Sequence, residues 1–181
     1  MVLHPALAGS TVEDMYYNYH LNNLYAAQRR ASTNTLANNV VALFQKDTQL
    51  TDCFNSMLDG KWNGMMDQKH IGYTSWDDPL ENIMPAPLYL PQSQGSGSGI
   101  GVAVQGGAFS TNGSSLTTFA IDPYLAPEEA RWLEIYALKN GTFPYTVSTN
   151  TSYATLSQCD GRLMSPGEAH VSDHRINIEI D

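Results

Sequence analysis

Charge is scarce in this sequence, and positive charge is scarcest. Charged residues make up 15% of the 181-residue chain, with 9 Lys and Arg against 18 Asp and Glu and a formal net charge of −9. A globular chain usually carries about 25%. The acidic residues are spread evenly, nine in residues 1–91 and nine in 92–181. No basic stripe exists to follow a phosphate backbone, so no nucleic acid partner is expected. The same balance disfavours docking on anionic lipid. No run of about 20 apolar residues occurs, so no membrane-spanning helix is expected. Cysteine is limited to Cys53 and Cys159, in opposite halves of the chain. A disulfide between them is open, but Cys53 falls on an apolar helical stripe, which favours a small buried thiol. The opening residues, Met1 to Pro5, carry neither the basic nor the apolar region of a secretory leader.

What is present divides into two halves. A Gly/Ser-rich stretch at 92–98 reads as a flexible linker. Before it the periodicity is helical. Val12, Met15, Tyr16, Tyr19, Asn23 and Ala27 predict a helix over 11–30, with Thr11 and Asp14 as a capping box. Leu36, Val40, Leu43 and Phe44 predict a second over 32–46. Leu50, Cys53, Phe54, Met57 and Leu58 predict a third, closed by Gly60. A short fourth helix is expected over 62–69. Pro79, Pro85, Pro87 and Pro91 then force extended chain. After the linker, strands are expected over 100–104, 116–121, 132–138, 145–148, 151–157 and 175–180. Ile176, Ile178 and Ile180 share one face of the last. The expected class is α+β: a helical bundle domain over 1–91, with an extended Pro-rich tail, followed by an antiparallel β-sandwich domain over 99–181. The sandwich reads as incomplete, because the chain stops one residue past its last strand.

Three sequons, at Asn112, Asn140 and Asn150, fall within about forty residues. They point to a surface that meets the secretory pathway, so an extracellular location is expected. An extracellular chain without a leader suggests a piece of a longer protein.

The segment 60–76 is the densest in chemistry. Asp67 and His70 stand at i, i+3 and are expected to hydrogen-bond. No other His has a ligand spacing to His70, so no metal is expected. Trp62, Tyr73 and Trp76 could stack on pyranose faces while Asn63, Asp67 and His70 bond hydroxyls. Packing of Trp62, Met65 and Met66 in a bundle core is the other reading. Asp77, Asp78 and Glu81 lie close together, but adjacent acids in a Pro-flanked loop are usually solvated, and they are not assigned as a catalytic pair.

This segment resembles the long motif of glycoside hydrolase family 115, approximately Gly-Lys-Trp-Asn-His-Met-Met-Asp-Gln-Thr-His-Ile-Gly-Tyr, then Trp, Pro and Met-Pro. The chain matches at Gly60, Lys61, Trp62, Asn63, Met65, Met66, Asp67, Gln68, His70, Ile71, Gly72, Tyr73, Trp76, Pro79, Met84 and Pro85. It departs at Gly64, where His is common, at Lys69, where Thr is usual, and at Asp77-Asp78, which replaces a commoner pair of amides. Upstream, His4-Pro5, Asn22-Asn23-Leu24, Gln28-Arg29-Arg30 and Thr33-Asn34 also look like the family's helical domain. The resemblance covers about residues 4–91 well and the later half more weakly.

The resemblance implies a secreted xylan α-1,2-glucuronidase that removes glucuronic acid or its 4-O-methyl form by inversion, without a cofactor. The family's catalytic acids lie in a (β/α)-barrel upstream of the helical region. This chain is expected to lack that barrel, so no catalytic residue is assigned. Xylan or glucuronoxylan oligosaccharides are the implied partners. A non-catalytic carbohydrate-binding module, or an assembly module that self-associates through an exposed bundle face, is the alternative.

Overall fold

A computed structural model describes residues 3–76, 79–91, 99–105, 131–165 and 172–180. The linker at 92–98, the strand expected at 116–121, Asp77, Asp78 and Asn112 lie outside the described residues. The fold is α+β. Helices α1 (Leu3–Ala27) and α2 (Thr33–Gly60) precede strands β1 (Ile100–Val104), β2 (Arg131–Ala137), β3 (Gly141–Thr146), β4 (Ala154–Leu156), β5 (Asp160–Ser165) and β6 (Asp173–Ile180). The chain forms two compact units. One comprises Met1–Asn23 and Leu36–Leu88, the other Leu24–Thr35 and Tyr89–Asp181.

In the first unit, Met15 of α1, Val40 of α2 and Ile71 form a buried cluster, flanked by Val12, Tyr16, Tyr19, Leu43, Phe44 and Met84. Helix α1 begins at Leu3, eight residues before the expected start. Pro5 lies in its first turn, where a missing N–H costs nothing. Thr11 does not cap; its hydroxyl donates to the Leu7 carbonyl at 2.7 Å, inside the helix. The second and third expected helices are one. Thr48 bonds back to the Phe44 carbonyl at 3.4 Å, and no Gly or Pro interrupts the run. Its regular geometry ends at Met57–Asp59, where Leu58 and Asp59 take φ of 52° and 55° ahead of Gly60 at 79°.

Cys53 is exposed rather than buried, and both cysteines are free. In the same part of α2, Phe54 packs against His4 with the rings tilted at 50° and their centroids 4.8 Å apart. The short helix expected over 62–69 is a series of turns instead. Its bonds run i to i−3, from Lys61 to Leu58, Asn63 to Gly60 and Met65 to Trp62, and Gly64 has φ of 85°.

The second unit carries two antiparallel sheets, one ordered β1-β2-β6-β4 and one pairing β3 with β5. β2 faces two ways, as period-2 geometry requires. Leu133, Ile135 and Ala137 join Ile176 of β6, Tyr145 of β3 and Leu163 of β5 in one apolar cluster. Glu134 and Tyr136 take the opposite face, beside their register partners Arg175 and Asp173. Strand β5 was not expected from the sequence.

Two cross-strand pairs set an aromatic ring over a glycine: Tyr136 over Gly101 and Tyr145 over Gly161. A Cβ at Gly101 would meet the Tyr136 ring at 2.5 Å. The same ring is fully buried and carries the Arg30 guanidinium 4.2 Å from its centroid, which leaves it little room to yield. Gly101→Ala should therefore cost about 1–3 kcal/mol through overpacking, measured by urea denaturation. An unchanged midpoint would contradict this packing account.

Candidate functional site

Among the described residues, the segment 61–91 has almost no regular secondary structure, yet its backbone is ordered by side chains. The asparagines do most of this. Asn82 Oδ1 accepts the amides of His70 at 2.8 Å and Ile71 at 3.2 Å. The Ile71 carbonyl accepts the Ile83 amide at 3.1 Å. The Asn22 side chain grips both polar groups of Leu88, accepting its N–H at 2.8 Å and donating to its C=O at 3.0 Å. A carboxamide used this way mimics a neighbouring strand. In the second unit Asn34 holds Leu90 identically, at 2.8 and 2.9 Å. Gly72 has φ of 94°, and a Cβ there would lie 2.6 Å from that of Ile83. Only glycine fits this close approach.

Asp67 does not bond His70; its Oδ1 accepts Asn55 Nδ2 at 2.7 Å. His70 turns instead to Asp47 of α2. Its Nε2 lies 3.0 Å from both Asp47 oxygens, and its Nδ1 lies 3.0 Å from the Gln68 carbonyl. A ring between two acceptors needs a proton on each nitrogen, so this geometry favours imidazolium. Burial pushes the His70 pKa down. The Gln68 carbonyl and the Asp47 carboxylate outweigh burial and raise it, against a small opposition from Lys69.

Trp62 is half-buried outside the core cluster, with Lys61 Nζ 5.1 Å from its ring centroid. Asn63 is exposed. Tyr73 is 46% exposed and donates to the Lys69 carbonyl at 3.3 Å. Trp76 is 98% exposed. Glu81 is exposed. Asn140 and Asn150 are both exposed, at turns beside β3. Among the described residues no group of three or more His, Cys, Asp and Glu has the geometry to hold a metal ion. Among the described residues no helix is long and apolar enough to cross a membrane.

Sequence reasoning missed a second cluster, in the second unit. Helix α1 ends with Arg29 at φ 57°, the Arg30 amide bonding back to Tyr25 and the Arg29 amide to Ala26, a Schellman closure. That turn aims the Arg30 side chain, only 1% exposed, between Tyr25 and Tyr136, 3.9 and 4.2 Å from their centroids. Its Nε donates to Gln28 at 2.6 Å and its Nη2 to Glu134 at 2.7 Å. Arg175 donates to the other Glu134 oxygen at 2.8 Å. Glu134 is thus doubly paired. Burial alone would raise its pKa, but the bonds and charges of Arg175 and Arg30 bring it below the usual value.

Asp173 is less well served. It accepts the Ser32 hydroxyl at 2.9 Å and lies 4.0 Å from Arg30 Nη1. Burial, reinforced by the charge of Glu134, pushes its pKa up to about 6, against the pull of Arg30, Ser32 and Ser172. The only local sign of this cluster in the sequence is the pair Arg29-Arg30, in a chain otherwise poor in positive charge.

No family model matches the chain, and no curated protein sequence matches it.

These two sites set a pH dependence. Asp173 and His70 both have pKa values raised on folding. Each favours the folded state fully below its unfolded pKa, and that contribution is lost as pH rises through the folded value. For Asp173, moving from 3.8 to about 6 corresponds to roughly 3 kcal/mol. Stability should therefore fall above pH 6.5 through His70 and, at lower pH, between about 4 and 6 through Asp173. Asp173→Asn should flatten that fall and raise stability at pH 7.5, read from urea midpoints across the range. An unaltered slope in the variant would contradict the assignment to Asp173.

Proposed function

We propose that this chain is the C-terminal helical and β portion of an extracellular family 115 xylan α-glucuronidase, and that it serves that enzyme as a non-catalytic scaffold. In this reading the first helices belong to a helical bundle and the two sheets to an antiparallel β-sandwich. The observation that carries it is the use made of the motif between Gly60 and Tyr73. Gly60, Gly64 and Gly72 all take positive φ, Ile71 is fully buried, and His70 and Asp67 are tied to α2 through Asp47 and Asn55. These residue types are explained by architecture and not by catalysis. Asp67 is the one carboxylate between Gly60 and Tyr73, whereas glycoside hydrolysis requires two.

Sequencing the transcript that encodes the chain tests this reading. The expected result is an open frame that continues upstream into a (β/α)-barrel. A frame closed around these 181 residues would overturn it.

A second reading, a xylan-binding module, is favoured by one observation. Trp76 is 98% exposed and Tyr73 is 46% exposed, an uncommon placement for large aromatic rings unless something stacks on them. Affinity electrophoresis on glucuronoxylan separates the two. The binding reading requires retardation that Trp76→Ala abolishes.

A further inference from the structure

We propose that Asn150 is an N-glycan acceptor, and that Asn140 owes its identity to the fold instead. The two sequons differ in what the structure does with the amide. Asn140 sits in the turn between β2 and β3. Its Oδ1 accepts the hydroxyl of Ser165, a buried residue, at 3.2 Å. It is followed by Gly141 at φ 147°, where a Cβ would lie 2.9 Å from the Phe143 ring. Turn closure and close packing account for both residues of that Asn-Gly pair.

Asn150 has no such employment. It is exposed, in a bend within the stretch from Ser148 to Tyr153, where every residue except Thr151 is exposed. Its side chain makes no hydrogen bond among the described residues. The local bonds belong to its neighbours: the Thr149 hydroxyl accepts the Thr151 amide at 3.2 Å and lies 3.1 Å from the Thr151 hydroxyl. Ser152, the sequon hydroxyl, is exposed and makes no hydrogen bond among the described residues. The bend leads into β4, whose one partner in the described sheet is β6 at the end of the order β1-β2-β6-β4. A large substituent on Asn150 therefore projects from the margin of the sheet and disturbs no described contact.

The chemistry is transfer from a lipid diphosphate-linked oligosaccharide in the secretory lumen. A bond forms between Asn150 Nδ2 and the sugar C1, the C1–oxygen bond to the diphosphate breaks, and Nδ2 gives up one proton. The proposal depends on passage through that lumen and not on the polysaccharide chemistry proposed above.

The test expresses the full chain behind a secretory leader in a eukaryotic host, with an appended control sequon that reports lumenal entry. Glycans are removed by peptide N-glycosidase in heavy-oxygen water, and secreted and cell-associated pools are mapped by peptide mass spectrometry. The expected result is the heavy-oxygen mark on Asn150, loss of one glycan in Asn150→Gln, and a retained Asn150 glycan in Asn140→Gln. A glycosylated control sequon with Asn150 bare would overturn the proposal, whether or not Asn140 is occupied.

Discussion

Extended backbone rich in proline cannot supply its own hydrogen-bond partners, and buried backbone must find them somewhere. In this protein asparagine carboxamides supply them. Asn82 takes two consecutive amides at His70 and Ile71, and Asn22 and Asn34 each pair both polar groups of one residue, Leu88 and Leu90. Each bond contributes about 1 kcal/mol net, but leaving the backbone group buried and unpaired would cost more. The burial of Ile71 against Met15 and Val40 is possible because its amide and its carbonyl are both satisfied, by Asn82 and Ile83.

The second unit solves a different problem with a different residue. The turn after α1 brings a guanidinium to the polar face of β2, and everything near it is arranged around that charge. Two tyrosine rings cover its faces, Gln28 and Glu134 take its edge, and the Ser32 hydroxyl donates to Asp173. Arginine suits this position because its planar fork stacks and donates at once. One carboxylate is fully paired and the other is not, so Glu134 and Asp173 shift in opposite directions.

Local periodicity revealed much of the framework. The stripes of α1 and α2 and the alternation of β1, β2 and β6 are visible in the sequence because each buries a regular face. The helix start was misplaced because Pro5 and Thr11 carry local signals that tertiary context overrides. Strand β5 was missed because Gly161 and Arg162 dilute its pattern. Its glycine makes sense only beneath Tyr145, its register partner. The expected Asp67–His70 pair followed helical spacing, but that segment is not helical, and each residue found a partner on α2 instead. The Arg30 cluster is joined by hydrogen bonds that span up to 141 positions along the chain, a separation that no local pattern encodes.

The central claim is that side-chain carboxamides hold the strandless segment as firmly as regular structure would. Residue-resolved hydrogen exchange on the intact chain tests it most directly. The account predicts that the amides of His70, Ile71, Leu88 and Leu90 exchange slowly, with protection comparable to that of the mid-helix amides of α2. Exchange of those four amides at the rates of an unstructured peptide would contradict it.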